Sequence, residues 1–494
     1  MTKVKPTAPL DHKIYYPAFK SHDARFDGRV YVAVSSTGIY CRPVCRVKMP
    51  KEENCAFYNS AAAAEAAGFR PCLRCRPELA PGFAPIDAPS RLSRKAALLM
   101  EDDCLYDSSM EQLAKELHVT DRHLRRSFMA EYGVSPVQYL QTYRLLLAKN
   151  LMTDTTLPVT DVAFTAGFGS VRRFNAVFKK HYRMSPSALR KQAQPAPLAG
   201  HDSITLYLGY RPPYLWSGIL AFLGGRSIPG VELVTDDAYH RTVVLRHNQT
   251  IYRGWISVQH AEKKNMLALT ISGTLLPVLP KVLMRIKHLF DLHSDPAEIY
   301  DKLAVMNRIK EGMCVPGTRL PGSFDSFEMA VRAVLGQQIT VKAARTLATR
   351  IVSAYGSAIS TPVAELTHTF PTPEEICSLE GPIENHLGVL GVTGARAKSI
   401  HALASALLNG DLELSRNSDP DLQLKNLLEL PGFGPWTVQY IAMRALGWPD
   451  AFPHTDYGVK KALSGYSPKE ILELAEQWRP WRSYATINLW NSLN

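Results

Sequence analysis

Apolar and polar positions change their rhythm along the chain. Between about residues 91 and 191 apolar residues recur at helical spacing, as in "MEQLAKELHVT" and "RFNAVFKKHYRMSP". Beyond residue 203 the runs "SITLYLGY" and "QTIYRGWISVQ" alternate with period two, which predicts strands. From about residue 291 the helical period returns and persists to the end. Two Pro/Ala-rich stretches without periodicity, "ELAPGFAPIDAPS" (78–90) and "QAQPAPLAGHDS" (192–203), read as linkers. The expected organisation is a multidomain α+β chain with segments 1–80, 91–191, 204–290 and 291–494.

The middle segment repeats itself. "HLRRSFMAEYGVSP" (123–136) and "RFNAVFKKHYRMSP" (173–186) align at an offset of 50, pairing Phe128 with Phe178 and Tyr132 with Tyr182. Each copy follows a short helix and a turn, then runs as a basic helix to a Ser-Pro stop. That order is a helix-turn-helix layout, present twice. The basic side chains Arg122, Arg125, Arg126, Arg172, Arg173, Lys179 and Lys180 are candidates for DNA contact. A plain αα-hairpin repeat with solvated charges is the alternative.

Charge supports a polyanionic partner. Of the 57 Lys and Arg, 29 fall in residues 1–191 against 18 Asp and Glu; beyond residue 191 the numbers are 28 and 27. Phosphate contacts drive nucleic-acid affinity, so a polyanion is the natural partner of the basic first part, with a solubilising charge excess as the alternative. No run approaches the roughly 18 apolar residues of a membrane span, and the start has no apolar signal core. A soluble, cytoplasmic, monomeric protein is expected, with no membrane partner.

Five of the eight cysteines lie between residues 41 and 75. In a reducing compartment such clustering favours metal over disulfides. Cys41-x3-Cys45 and Cys72-x2-Cys75 can give four thiolates to one tetrahedral Zn²⁺. Cys55 has no ligand spacing. Spacing alone leaves open whether the site is structural or reactive.

The surrounding residues "STGIYCRPVCR" and "ENCAFYNSAAAAEAAGFRPCLRCRPE" resemble the N-terminal domain of the Ada methylation-response proteins. The resemblance implies that Cys41 irreversibly takes a methyl group from a DNA methylphosphotriester while Cys41, Cys45, Cys72 and Cys75 hold zinc. It also implies that Lys48, Arg70 and Arg74 approach the phosphates. Methylating one of four thiolates on Zn²⁺ changes the site from −2 to −1, which lowers its repulsion of DNA. The repeat resembles the double helix-turn-helix of AraC-type regulators, which implies operator DNA and RNA polymerase as partners and a place at the nucleoid. The Pro-Cys-His-Arg motif of methylguanine methyltransferases is absent.

In the last segment, Leu430-Pro431-Gly432-Phe433-Gly434 is a tight hairpin whose backbone N–H groups can dock a phosphate. Asp456 follows 22 residues beyond Gly434; taken alone, it could equally be a helix N-cap. Together with "LYLGYRPPYLWSGILAFLGGR", "RLPGSFDSFEMAVRAVLGQQITVKAA" and "WRPWRSYATINLW" they resemble the helix-hairpin-helix glycosylases of the AlkA type. The resemblance implies an antiparallel β subdomain followed by helical helix-hairpin-helix subdomains, and hydrolysis of N-glycosidic bonds to alkylated bases of the 3-methyladenine kind. It makes Asp456 the essential carboxylate, Phe222, Trp436, Tyr440, Tyr457 and Trp490 the base pocket, and Gln338 the filler of the gap left by the flipped base. Such a pocket is expected to favour cationic alkylpurines by cation–π attraction. Strand-cutting relatives carry a Schiff-base Lys where Trp436 stands, so a monofunctional enzyme is expected. A regulator whose glycosylase-like part only binds DNA is the rival reading.

Overall fold

The computed structural model describes residues 12–81, 91–103, 109–193, 202–247, 249–415 and 418–493. Most of both expected linkers, and Cys104, lie outside the described residues. The chain forms two compact units, Met1–Pro212 with Ala261–Met284 and Leu292–Ser294, and Pro213–His260 with Arg285–Asp291 and Asp295–Asn494.

The first unit opens with a four-stranded sheet in the order Cys55–Tyr58, Tyr31–Val34, Ile39–Cys41, Arg70–Pro71. Its last pair is parallel, with Ile39 opposite Arg70 and Tyr40 opposite Pro71. The Cys72 N–H continues that ladder by donating to the Tyr40 carbonyl at 3.0 Å. This register carries the two cysteine pairs to one end of the sheet.

Among the described residues seven helices follow between 91 and 193, and the repeat seen in sequence is a repeat in space. Asp121–Tyr132 and Val171–Tyr182 are each N-capped by a hydroxyl, of Thr120 and Ser170. Phe128 and Phe178 are both fully buried, and their rings lie 4.5 and 4.4 Å from those of Tyr132 and Tyr182. Both helices end on a left-handed residue, Gly133 in the first copy and Arg183 in the second. Glycine takes that conformation freely, whereas Arg183 adopts it against its Cβ.

The connecting helix Pro136–Asp154 is buried on several sides because it packs against the zinc-type domain as well as its own repeat. Two buried polar clusters make that junction. Glu65 accepts from the Tyr40 hydroxyl at 3.1 Å and the Thr142 hydroxyl at 3.0 Å, and pairs with His181 at 3.3 Å. Glu78 pairs with Lys149, itself 1% exposed, at 2.5 Å and with Arg76 at 2.9 Å; Arg76 also reaches Asp154. Burial disfavours the Glu78 carboxylate, but the charges of Lys149 and Arg76 outweigh it and hold its pKa below the ordinary value. The strand Ser203–Gly209 pairs antiparallel with Met266–Ser272 and completes this unit's second sheet element.

In the second unit, Ala238–His247 and Thr250–Ala261 form a long antiparallel hairpin, flanked by Glu232–Val234. The rest is helical. Apolar positions of Ser326–Leu335 and Pro435–Arg444 are buried, and these two helices pack on one another. The ion cluster Glu232, Glu328, Arg241 and Arg332 anchors the first of them to the β hairpin.

Candidate functional site

The four sulfurs of Cys41, Cys45, Cys72 and Cys75 lie within 4.8 Å of one another. Tetrahedral Zn–S bonds of about 2.3 Å set neighbouring sulfurs about 3.8 Å apart, so this donor set fits Zn²⁺. Two backbone N–H groups already aim at sulfur: Arg42 donates to Cys75 and Arg74 to Cys72, each at 3.4 Å. Such donors stabilise thiolates. Arg42 itself is buried and anchored by Asp27 through its Nε at 2.8 Å. Cys55 lies outside the group, on a strand, with its thiol pushed up to about 11 by burial and by Glu52.

Cys41 is 3% exposed and Cys45 1%, whereas Cys75 is the most open of the four. Lys48 and Arg74 are exposed and Arg70 is half-buried. On the helix-turn-helix pair, Arg122, Arg125, Arg126, Arg172, Arg173, Lys179 and Lys180 all face solvent. Arg125 is partly engaged by Asp121 one turn earlier, at 2.7 Å. The positions that alternate between buried and exposed match between the two copies from 121 to 128 and from 171 to 178.

The second unit gathers the residues expected around Asp456, with one exception. Asp456 caps the helix Tyr457–Ala462: its Oδ1 accepts from the N–H groups of Gly458 at 2.8 Å and Val459 at 3.2 Å. Oδ1 also accepts from the Trp490 indole at 2.8 Å, and Oδ2 from the Trp436 indole at 2.9 Å. The cap reading and the catalytic reading are therefore compatible, since the cap fixes a carboxylate that two tryptophans hold in place. Trp436 stacks on Tyr440 at 5.4 Å and Phe222 stacks on Trp490 at 6.1 Å. Tyr457 stands apart at 79% exposure.

Gly432 has φ +81°, and a Cβ there would lie 2.2 Å from the Ser399 hydroxyl. The positive φ and the close approach both favour glycine here. Gly434 N-caps Pro435–Arg444 in the open, and Phe433 anchors the hairpin from below at 4% exposure. Gln338 is exposed and left-handed (φ +56°) at the turn between Ser326–Leu335 and Val341–Tyr355.

Three residues that sequence reasoning missed complete the site. Gln337 donates to the Gly432 carbonyl at 2.8 Å and the Thr437 hydroxyl at 2.9 Å, tying the Gln338 turn to the hairpin. Its adjacency to Gln338 in "LGQQIT" was the available signal. Arg444, 2% exposed, donates to the Tyr440 hydroxyl at 3.1 Å and to the Gly322 carbonyl at 3.0 Å. Arg226 lies over Phe222. Burial would push the Tyr440 phenol up, but the charges of Arg444, Arg226 and Arg332 prevail and hold it below its ordinary value.

Family models match four consecutive parts of the chain. They are the metal binding domain of Ada (14–78), a helix-turn-helix domain (113–192), the AlkA N-terminal domain (205–325) and the HhH-GPD superfamily base excision DNA repair protein (331–473). A Mycobacterium tuberculosis relative described as a probable bifunctional transcriptional activator/DNA repair enzyme AlkA is 38% identical over 98% of this chain and 97% of its own. The Escherichia coli DNA-3-methyladenine glycosylase 2 is 34% identical over 57% of this chain and 95% of its own. Among solved structures, a 3-methyladenine DNA-glycosylase from Archaeoglobus fulgidus shares the fold, at TM-score 0.50 and 20% identity, over 58% of this chain and 97% of that one. With a four-sulfur metal site, a duplicated helix-turn-helix and a helix-capping aspartate beyond a Gly-rich hairpin in one polypeptide, the chain belongs to the family of bifunctional Ada/AlkA transcriptional activator and DNA repair fusions.

Proposed function

We propose that the second unit is a monofunctional DNA glycosylase that removes alkylated bases of the 3-methyladenine kind, and that the first unit senses the same class of damage and activates transcription. The observation that carries the repair half is the Asp456 carboxylate, fixed by two indoles beside stacked aromatic rings. A flipped base would lie among Phe222, Trp436, Tyr440 and Trp490, with Gln338 entering the duplex and the Gly432–Gly434 backbone holding phosphate. As the C1′–N bond breaks, its electrons leave with the base, and positive charge develops on the sugar. The Asp456 carboxylate stabilises that charge and orients the water that adds to C1′ and gives up a proton to solvent. Trp436 occupies the place of a Schiff-base lysine, and its indole is spent on Asp456, so the product is an abasic site. Tyr457 is better read as a surface contact to DNA than as a pocket wall, given its exposure.

In the first unit Cys41 would accept the methyl group, with Cys45, Cys72 and Cys75 completing the donor set for zinc. Bound zinc keeps the sulfurs as thiolates at neutral pH. Methylation of Cys41 removes one negative charge from a site flanked by Lys48, Arg70 and Arg74. DNA binding through the two basic helices is thereby strengthened. The same reading carries with it a monomer at the nucleoid that engages RNA polymerase. Mass spectrometry after incubation with methylphosphotriester DNA tests it: a single +14 Da adduct on Cys41 is expected. An adduct on Cys75, the more exposed ligand, or none at all, refutes the assignment.

A further inference from the structure

We propose that Gln337 is a positioning residue for base flipping: it locks the turn that carries Gln338 to the Gly432 hairpin, so that gap filling and phosphate grip act as one body. The inference rests on the glycosylase reading above. Gln338 is exposed at the tip of its turn and left-handed, a conformation that a residue with a Cβ keeps only where its surroundings impose it. The restraint comes from its neighbours. Gln337 gives both amide N–H groups to the hairpin side: Nε2 donates to the Gly432 carbonyl at 2.8 Å and to the Thr437 hydroxyl at 2.9 Å. Beyond the tip, the Thr340 hydroxyl caps the helix Val341–Tyr355 by accepting from the Ala343 N–H at 3.2 Å.

The helix Gly394–Asn409 braces both loops. Arg396 donates from Nη2 to the Gln337 carbonyl. The hydroxyl of Ser399, three residues on and so on the same face, lies against Gly432, 2.2 Å from where a Cβ would stand. Gln337 is thus fixed both at its side chain and at its carbonyl. The helix that follows the hairpin, Pro435–Arg444, bears Thr437 as well as Trp436, whose indole holds Asp456. One side chain therefore ties the turn that would enter the duplex to the hairpin that would hold phosphate. Such a strap matters for flipping, because a side chain that replaces a base in the stack must stand at a set distance from the phosphates on which the protein is seated. Misplacement by about 1 Å can cost on the order of a hundredfold in rate. It matters little once the base is already outside the stack.

Single-turnover release from duplexes holding one 7-methylguanine tests this with the full chain. The lesion stands opposite cytosine, where it must be unpaired, or opposite a tetrahydrofuran abasic analogue, where pairing is already lost. Gln337→Met, close in size but without a donor, is expected to slow release opposite cytosine about tenfold, and opposite the analogue by less than about threefold. Thr437→Val, which removes one of the two acceptors, is expected to show the same split with about a threefold loss opposite cytosine, and it decides the matter if thermal unfolding shows that Gln337→Met loosens the fold. Equal slowing on both duplexes, or none on either, overturns the inference. A second readout needs no bond breaking: 2-aminopurine placed opposite a tetrahydrofuran site reports entry of residue 338 into the stack. Its fluorescence should change less than about half as much on binding Gln337→Met as on binding the parent, and an equal change overturns the inference. Release from neither duplex by the parent overturns the glycosylase reading, while the fluorescence still decides whether Gln337 positions the turn.

Discussion

Asp456→Asn separates the structural and chemical duties of one side chain. Oδ1 carries three of the four hydrogen bonds, from Gly458, Val459 and Trp490, and an asparagine oxygen in the same place keeps them all. The amide nitrogen then replaces Oδ2 and faces the Trp436 N–H, donor against donor, where the carboxylate accepted at 2.9 Å. One lost bond to a charged acceptor and one unpaired indole cost about 1–3 kcal/mol. The fold should survive with a lowered melting temperature. The chemistry should not. A carboxylate about 4 Å from a forming sugar cation, at an effective dielectric near 20, contributes roughly 4 kcal/mol. That is about a thousandfold in rate. Single-turnover release of methylpurine from alkylated duplex, with circular dichroism as the folding control, measures both parts. Release by folded Asp456→Asn within tenfold of the parent would refute the charge argument and favour a glycosylase-like part that merely binds DNA.

Two further outcomes concern stability in the first unit. Arg183→Gly relieves a left-handed C-cap with its side chain exposed, and should raise the stability of that unit by up to about 1 kcal/mol in thermal unfolding; a loss would show that the Arg183 side chain makes a contact that matters. Glu78 has a folded pKa below its unfolded value of about 4.5, so its contribution is full above that value and drains away as pH falls through the folded pKa. Urea unfolding of the parent should therefore weaken below about pH 4.5, and Glu78→Gln should flatten that part of the profile while lowering stability at pH 7.

Much of this architecture was legible because its signals are local. Cysteine spacing, the offset of 50 and the Gly-rich hairpin each sit within a short window, and each reappears as the four-sulfur cluster, the twin buried Phe–Tyr pairs and the Gly432 turn. What stayed hidden depends on partners far apart in the chain. Arg226 meets Trp490 and Arg444 meets Gly322 only after folding, and no periodicity in "FLGGR" or "IAMRALGW" announces a cation on an aromatic face. Tyr457, which the resemblance alone put in the pocket, begins a helix and is 79% exposed. Glu65 in an alanine-rich helix reads as an ordinary surface acid, yet it is 7% exposed, with three partners from three other elements.

That glutamate limits where the sensor can be grafted. Tyr40 stands beside the first metal ligand, Thr142 on the connecting helix and His181 at the end of the second basic helix, and all three converge on one buried carboxylate. Graft this sensor onto a reader lacking Thr142 and His181, and Glu65 is left inside with a single donor, at a cost of several kcal/mol. The sensor is therefore expected to lose stability when it is joined to a reader that lacks both residues.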